Sequence, residues 1–121
     1  MHYIGIDIIE IARIERAINR WGESFLQRVY TEPELRLCRK KPSPLATRFA
    51  GKEAVMKALG TGTKGISWRE IEILAEPSGK PSVHLHGKAQ DKADGLGLDK
   101  LAISLSDSKE YAIAFVVGET R

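Results

Sequence analysis

The sequence predicts an α+β fold: after one opening strand, helical periodicities fill the first half of the chain, whereas β-branched and alternating runs fill the second. Its 121 residues can build one hydrophobic core and are too few for two, so 1–121 reads as a single domain. No internal repeat or linker divides it.

Residues 3–9, Tyr-Ile-Gly-Ile-Asp-Ile-Ile, form a nearly continuous apolar run that reads as a strand buried on both faces, interrupted by Asp7. Ile11, Ile14, Ile18 and Trp21 then recur at helical spacing, and Gly22 is placed to stop that helix. A second short helix covers 25–29. Thr31-Glu32-Pro33-Glu34 is a capping box, so a third helix should run to about Arg39. Pro42-Ser43-Pro44 breaks the chain again. Ser43 suits the N-cap and Pro44 the first helical position, opening a long helix that ends at Leu59 before the glycine-rich 60–65. Beyond it, 68–74, 82–86, 101–106 and 111–117 read as strands, with a turn at 77–81 and a polar helix at 88–94.

Apolar residues make up 42% and charged residues 29%, a balance that excludes a disordered chain. The net charge of +3 is too small to mark a nucleic-acid binder and equally suits an acidic partner or a phosphorylated ligand. Cys38 is the only cysteine, which excludes an internal disulfide or a thiolate zinc cluster. The amino terminus lacks a signal-peptide pattern and no run is long enough to span a bilayer, so a cytoplasmic location is expected.

Two acids are out of place. On the helix ending at Leu59, Leu45, Ala46, Phe49 and Met56 share one face, and Glu53 falls within it, whereas Arg48 and Val55 should point outward. Asp7 sits in a strand that is apolar on either parity. An unpaired buried carboxylate costs several kcal/mol, so something positive must meet each. They can be satisfied separately, Asp7 by amides or an arginine and Glu53 by Lys57 one turn on, or jointly by a divalent cation. Two carboxylates with no third protein ligand suit Mg²⁺, which keeps several waters and accepts phosphate oxygens.

The segments Gly5-Ile6-Asp7-Ile8-Ile9-Glu10-Ile11 and Arg48-Phe49-Ala50-Gly51-Lys52-Glu53-Ala54, continuing to Lys57-Ala58-Leu59-Gly60-Thr61-Gly62, resemble the two signatures of the holo-acyl-carrier-protein synthases. Further matches are residues 25–32, 68–73, Gly79-Lys80-Pro81, and Ser104-Leu105-Ser106 with Lys109-Glu110-Tyr111-Ala112, so the resemblance spans the chain. It implies the 4'-phosphopantetheinyl transferase fold, an antiparallel sheet packed on a long central helix. It also implies transfer of phosphopantetheine from coenzyme A to a serine of apo acyl carrier protein, giving the holo carrier for fatty acid biosynthesis and adenosine 3',5'-bisphosphate. Carried over by position, Asp7 and Glu53 are Mg²⁺ ligands and, with Lys57, the catalytic set. Arg48, Phe49, Lys57, Gly60, Thr61 and Pro81 fall where the family contacts coenzyme A. Family members are homotrimers with sites shared between neighbouring chains. The larger pseudo-dimeric relatives carry an acid two residues after the first aspartate; Ile9 stands there in this chain, which places it with the trimeric type. One position departs from the pattern: Asp107 stands where the family usually has histidine, and a carboxylate there would repel a nucleotide phosphate.

No histidine stands out as the acceptor of the serine proton, since His84 and His86 alternate in a strand and His2 is terminal. Arg13, Arg16 and Arg20 lie at i, i+3 and i+7 on the first helix, opposite its apolar stripe. The family holds its acidic carrier protein on this helix, which makes the ridge the expected docking surface. Two other classes compete. A nucleic-acid-binding module accounts for the basic residues and the Arg-Lys-Lys run at 39–41 but leaves Asp7 and Glu53 unexplained. A metal-dependent nucleotide phosphohydrolase accounts for the acids but needs no protein acceptor.

Overall fold

A computed structural model describes all 121 residues. The chain runs β1 (His2–Glu10), α1 (Ile11–Trp21), α2 (Glu23–Val29), α3 (Glu32–Cys38), α4 (Pro42–Leu59), β2 (Ile71–Ala75), β3 (Pro81–Leu85), α5 (Gly87–Gly95), β4 (Leu98–Asp107) and β5 (Tyr111–Thr120). One antiparallel sheet has the order β1-β5-β4 and a second pairs β2 with β3. The first strand therefore pairs only with the last, from His2 opposite Glu119 to Glu10 opposite Tyr111. No helix is long and apolar enough to cross a membrane.

The local signals act where the sequence places them. Gly22 ends α1 at φ 52°, a conformation open to glycine at little cost. Thr31 caps α3, with Glu34 returning to the Thr31 amide at 2.8 Å. The long helix starts earlier than expected. Lys41 is its N-cap and Pro42, not Pro44, takes the first helical position; Pro44 is tolerated two residues on because first-turn amides have no intrahelical acceptor. Residues 68–70 form a short 3₁₀ turn instead of the start of a strand, and β2 begins only at Ile71. Glu70 fixes that turn. Its carboxylate accepts from the Ser67 amide at 2.8 Å and from the Lys88 amide, in the first turn of α5, at 2.7 Å. These two amides hold the Glu70 carboxyl below the usual carboxylate range.

Helix α4 lies on the sheet and is buried nearly all round, including Val55, which the sequence assigned to the outside. The close approach depends on Gly5: a Cβ there would fall on the carbonyl oxygen of Ala54. Opposite β1, the buried face of β5 is made of Ala112, Ala114 and Val116. The other face of this sheet is bare. Ile4, Ile6 and Ile8 are each more than half exposed, and Ile113 and Phe115 beside them are also exposed, so β1 is not covered on both sides. Trp21, expected in the core stripe of α1, is 55% exposed.

One buried ion pair has no signal in the sequence. Lys52 and Glu34 are both fully buried, with Nζ 2.8 Å from Oε1. The same ammonium donates to the carbonyls of Trp68, at 3.1 Å, and Ile71. Glu34 also accepts from the Ile73 amide at 2.7 Å. Both charges are thus fully hydrogen-bonded, and together they tie α4 to α3 and β2.

Candidate active site

The contact between Gly5 and Ala54 sets the register of β1 on α4. Asp7 lies two residues past the glycine and Glu53 one residue before the alanine, so the same contact brings the two acids together. The Asp7 side chain is 11% exposed, and its Oδ1 accepts from Lys57 Nζ at 2.9 Å. Lys57 donates as well to the Ile6 carbonyl at 3.0 Å. It therefore crosses from helix to strand and does not form the expected pair with Glu53 one turn back. The hydrogen bond to Asp7 raises the Lys57 pKa above the ordinary lysine value. Glu53, half-buried, is left with the unfavourable share. Burial and then the neighbouring Asp7 charge push its carboxyl upward, opposed by Lys57 and Arg13.

Such a site holds two carboxylates against one lysine, with no third acidic, histidine or cysteine side chain joining them. The donor set fits a hard cation such as Mg²⁺ with most of its coordination left for water or phosphate oxygens, and does not fit zinc.

A second locus lies at the amino-terminal end of α4. A cavity of about 400 Å³ there is lined by Arg48, Pro81, Gly79, Ser43 and Asp107, among others. Arg48 donates to Thr47 Oγ1 at 3.3 Å, but its Nε is buried without a partner. Asp107 accepts from Ser43 Oγ at 2.7 Å. Five residues along a helix rotate a side chain by about 140°, so Arg48 and Glu53 face different directions from α4.

Phe49 belongs to a third place. Its ring stacks on Trp68, with centroids 4.7 Å apart, and lines a groove of about 400 Å³ under α1 together with Arg13, Arg16, Arg20, Trp21 and Phe25. The Arg20 guanidinium lies 5.0 Å from the centre of the Trp21 ring. Gly60 ends α4 in the left-handed conformation at φ 76°, and the Thr61 amide donates back to the Met56 carbonyl at 3.1 Å. The histidines lie elsewhere: His84 meets Ser82 at 3.1 Å, His86 meets Glu72 at 3.1 Å, and His2 meets Glu119 at 3.6 Å.

The model of the 4'-phosphopantetheinyl transferase superfamily matches residues 3–116. The chain belongs to this superfamily. Among curated relatives of this transferase chain, the holo-acyl-carrier-protein synthase of Dehalococcoides mccartyi strain CBDB1 is 55% identical over 98% of the chain and 99% of the relative. That of Herpetosiphon aurantiacus is 50% identical over 94% and 95%. Among solved structures, the Helicobacter pylori synthase in complex with coenzyme A superposes with a TM-score of 0.88 at 39% identity, covering 96% of this chain and 99% of that one. The Neisseria meningitidis synthase superposes with a TM-score of 0.91 at 38% identity, covering 99% and 100%. The α+β transferase fold expected from the sequence is therefore the observed one.

Sequence reasoning placed Asp7, Glu53 and Lys57 in one set, and this transferase chain brings them together. It placed Arg48, Phe49, Lys57, Gly60, Thr61 and Pro81 at one ligand site; of these Arg48 and Pro81 share a cavity, whereas Phe49 lines the groove under α1 and Lys57 lies on Asp7. It missed Ser43 as the partner of Asp107. The parity of β4 was the available signal, since Ile103 and Leu105 face α4 and Asp107 follows on the same side.

Proposed function

We propose that the chain is a holo-acyl-carrier-protein synthase: it transfers 4'-phosphopantetheine from coenzyme A to a serine of apo acyl carrier protein and releases adenosine 3',5'-bisphosphate. The relatives at 50% and 55% identity over nearly the whole chain support this reaction. The observation that carries the site assignment is the convergence of Asp7 on β1 with Glu53 and Lys57 on α4.

The chemistry asks for charge neutralisation on a diphosphate while a hydroxyl attacks its pantetheine-side phosphorus. Asp7 and Glu53 would hold Mg²⁺, which supplies that neutralisation when bound. Lys57 is already anchored on Asp7 at the helix end and presents a point charge to the same phosphates. Arg48 and Pro81, which line one cavity, take the nucleotide end. Phe49, half-buried, lines the approach to coenzyme A from the α1 groove, and the backbone at Gly60 and Thr61, with open space beside Gly60, approaches the ligand closely.

Arg13, Arg16 and Arg20 dock the acidic carrier protein. In support, all three line the groove whose field reaches Glu53 through Arg13, so a carrier held there has its serine near the carboxylates. The active form is a homotrimer with sites shared between chains. The bare apolar sheet face of Ile4, Ile6, Ile8, Ile113 and Phe115 is the kind of surface that association covers. Sharing also accounts for Arg48 and Glu53 facing apart on one helix. The holo carrier made this way serves fatty acid biosynthesis in the cytoplasm.

Incubating apo carrier protein with coenzyme A and Mg²⁺, followed by mass spectrometry, should show a gain of one phosphopantetheine. Release of nucleotide without carrier would favour a phosphohydrolase and defeat the assignment. In the same assay Asp7→Asn and Glu53→Gln should each lower kcat/KM by about a hundredfold or more while the protein stays folded.

A further inference from the structure

Where β1 crosses the end of α4, an ammonium already occupies oxygen acceptors. Lys57 Nζ lies 2.9 Å from Asp7 Oδ1 and 3.0 Å from the Ile6 carbonyl oxygen. A carboxylate and a backbone carbonyl are both oxygens of the kind that a hard cation takes as ligands. The two partners differ in freedom: the Asp7 side chain is 11% exposed, the Lys57 side chain 55%. The acid is fixed in the fold, whereas the ammonium hangs on a flexible four-carbon stem that lies largely in solvent. The helix that carries it stops at Leu59, two residues on, and a side chain added at Gly60 would meet nothing within 4 Å. Lys57 can therefore leave its seat without disturbing the packing beneath it.

While seated, the lysine sets the charge of the site. Asp7 and Glu53 bring two negative charges, Lys57 returns one, and Asp7 Oδ1 is already engaged. A dication would have to give up part of a tightly held water shell for a carboxylate pair that is half neutralised. A diphosphate changes both terms. It offers the ammonium a stronger anionic partner, and departure of Lys57 restores the full charge of the acid pair. We propose that Lys57 is the resident counter-ion of Asp7 and Glu53 and makes divalent-cation binding conditional on a diphosphate: in the free chain the ammonium keeps the seat, and the cation enters together with coenzyme A. An ammonium seated in about nine molecules of ten lowers the apparent affinity for a competing cation about tenfold. The linkage is reciprocal, so the cation and coenzyme A tighten one another by the same factor. The inference rests on the reading of Asp7 and Glu53 as a metal site given above.

Mn²⁺ tests it without turnover, because binding removes the free-ion signal in electron paramagnetic resonance. The full-length protein in its native assembly is titrated with Mn²⁺ alone, and again with saturating coenzyme A and no carrier protein, against protein-free blanks. Lys57→Met alters a side chain that is more than half exposed, and it should bind Mn²⁺ alone about tenfold more tightly than wild type. Coenzyme A should tighten Mn²⁺ by a factor about tenfold larger in wild type than in this variant, since direct contact between metal and phosphate is common to both and cancels. Arg13→Met is the control: it removes an equal charge from the neighbouring groove without emptying the seat, and should change Mn²⁺ binding less than about twofold. Equal Mn²⁺ affinity in wild type and Lys57→Met, a coenzyme A effect no larger in wild type than in that variant, or equal tightening by both substitutions would overturn the proposal. If neither wild type nor Lys57→Met bound Mn²⁺ even with coenzyme A present, the metal reading of the two acids would fall, and this inference with it.

Discussion

Replacing Lys52 by methionine tests whether the buried ion pair supports the scaffold of the site. The ammonium has acceptors in Glu34 Oε1 and in the carbonyls of Trp68 and Ile71, and the whole side chain is buried. Burial depresses its pKa below the ordinary lysine value, opposed by the Glu34 charge, so the pair exists only because both members are present. Methionine fills most of the volume, which keeps the cavity cost small. It leaves Glu34 charged in the interior with only the Thr31 and Ile73 amides. Stranding one member of a buried pair costs about 3–5 kcal/mol. That is a large share of the roughly 5–15 kcal/mol of a whole domain. For a chain of this size it corresponds to a fall in Tm of about 15 °C. The assay is urea and thermal unfolding at one fixed protein concentration, since any association would otherwise shift the midpoint. The double variant Lys52→Met with Glu34→Gln should recover about 2 kcal/mol, because the amide is neutral and can donate to the abandoned carbonyls. A single-variant cost below about 1 kcal/mol, or no recovery in the double variant, would refute the account.

Gly5→Ala should destabilise the protein by more than the usual 1–3 kcal/mol of overpacking, because the added methyl meets backbone and not a movable side chain; it should also reduce transferase activity by separating Asp7 from Glu53. Unchanged unfolding curves would count against the close approach. Charge reversal at Arg13 and Arg20 should raise KM for the carrier about tenfold and leave KM for coenzyme A unaltered, as measured by steady-state kinetics. Ile6→Lys on the bare sheet face should yield a smaller particle in sedimentation; an unchanged mass would place the contact elsewhere. Glu70→Gln should lower Tm at neutral pH. Its folded carboxyl is depressed below 4.5, so the stabilisation is present above that value and disappears as pH falls through the folded pKa; the gap between variant and wild type should close in acid.

The features legible in the sequence were those written within a few neighbouring residues. The α3 capping box and the Gly22 stop are local hydrogen-bond and dihedral choices, and both appear where the pattern puts them. Asp7 and Glu53 were legible for a different reason: a charge in an apolar frame needs a partner wherever the chain goes. The cation that answers Asp7 was not, since Lys57 can reach either its own helix or the strand below, and only the packing of α4 on Gly5 chooses the strand. The Lys52–Glu34 pair links residues eighteen apart on separate elements, beyond any periodicity argument. The bare isoleucines of β1 misled the reading in the opposite direction. An apolar run reports that a surface avoids water and does not say whether its cover comes from the same chain.

The pairing of β1 with β5 has a temporal consequence. The backbone of Asp7 pairs with that of Ala114, so the strand that hydrogen-bonds it is made more than a hundred residues later. Pairing over that separation is a slow, non-local step, so β1 gains its only strand partner after α4 and the second sheet have been made. Truncation before Tyr111 would thus leave the backbone of β1 without a ladder partner although the side chains of Glu53 and Lys57 beside Asp7 are still present.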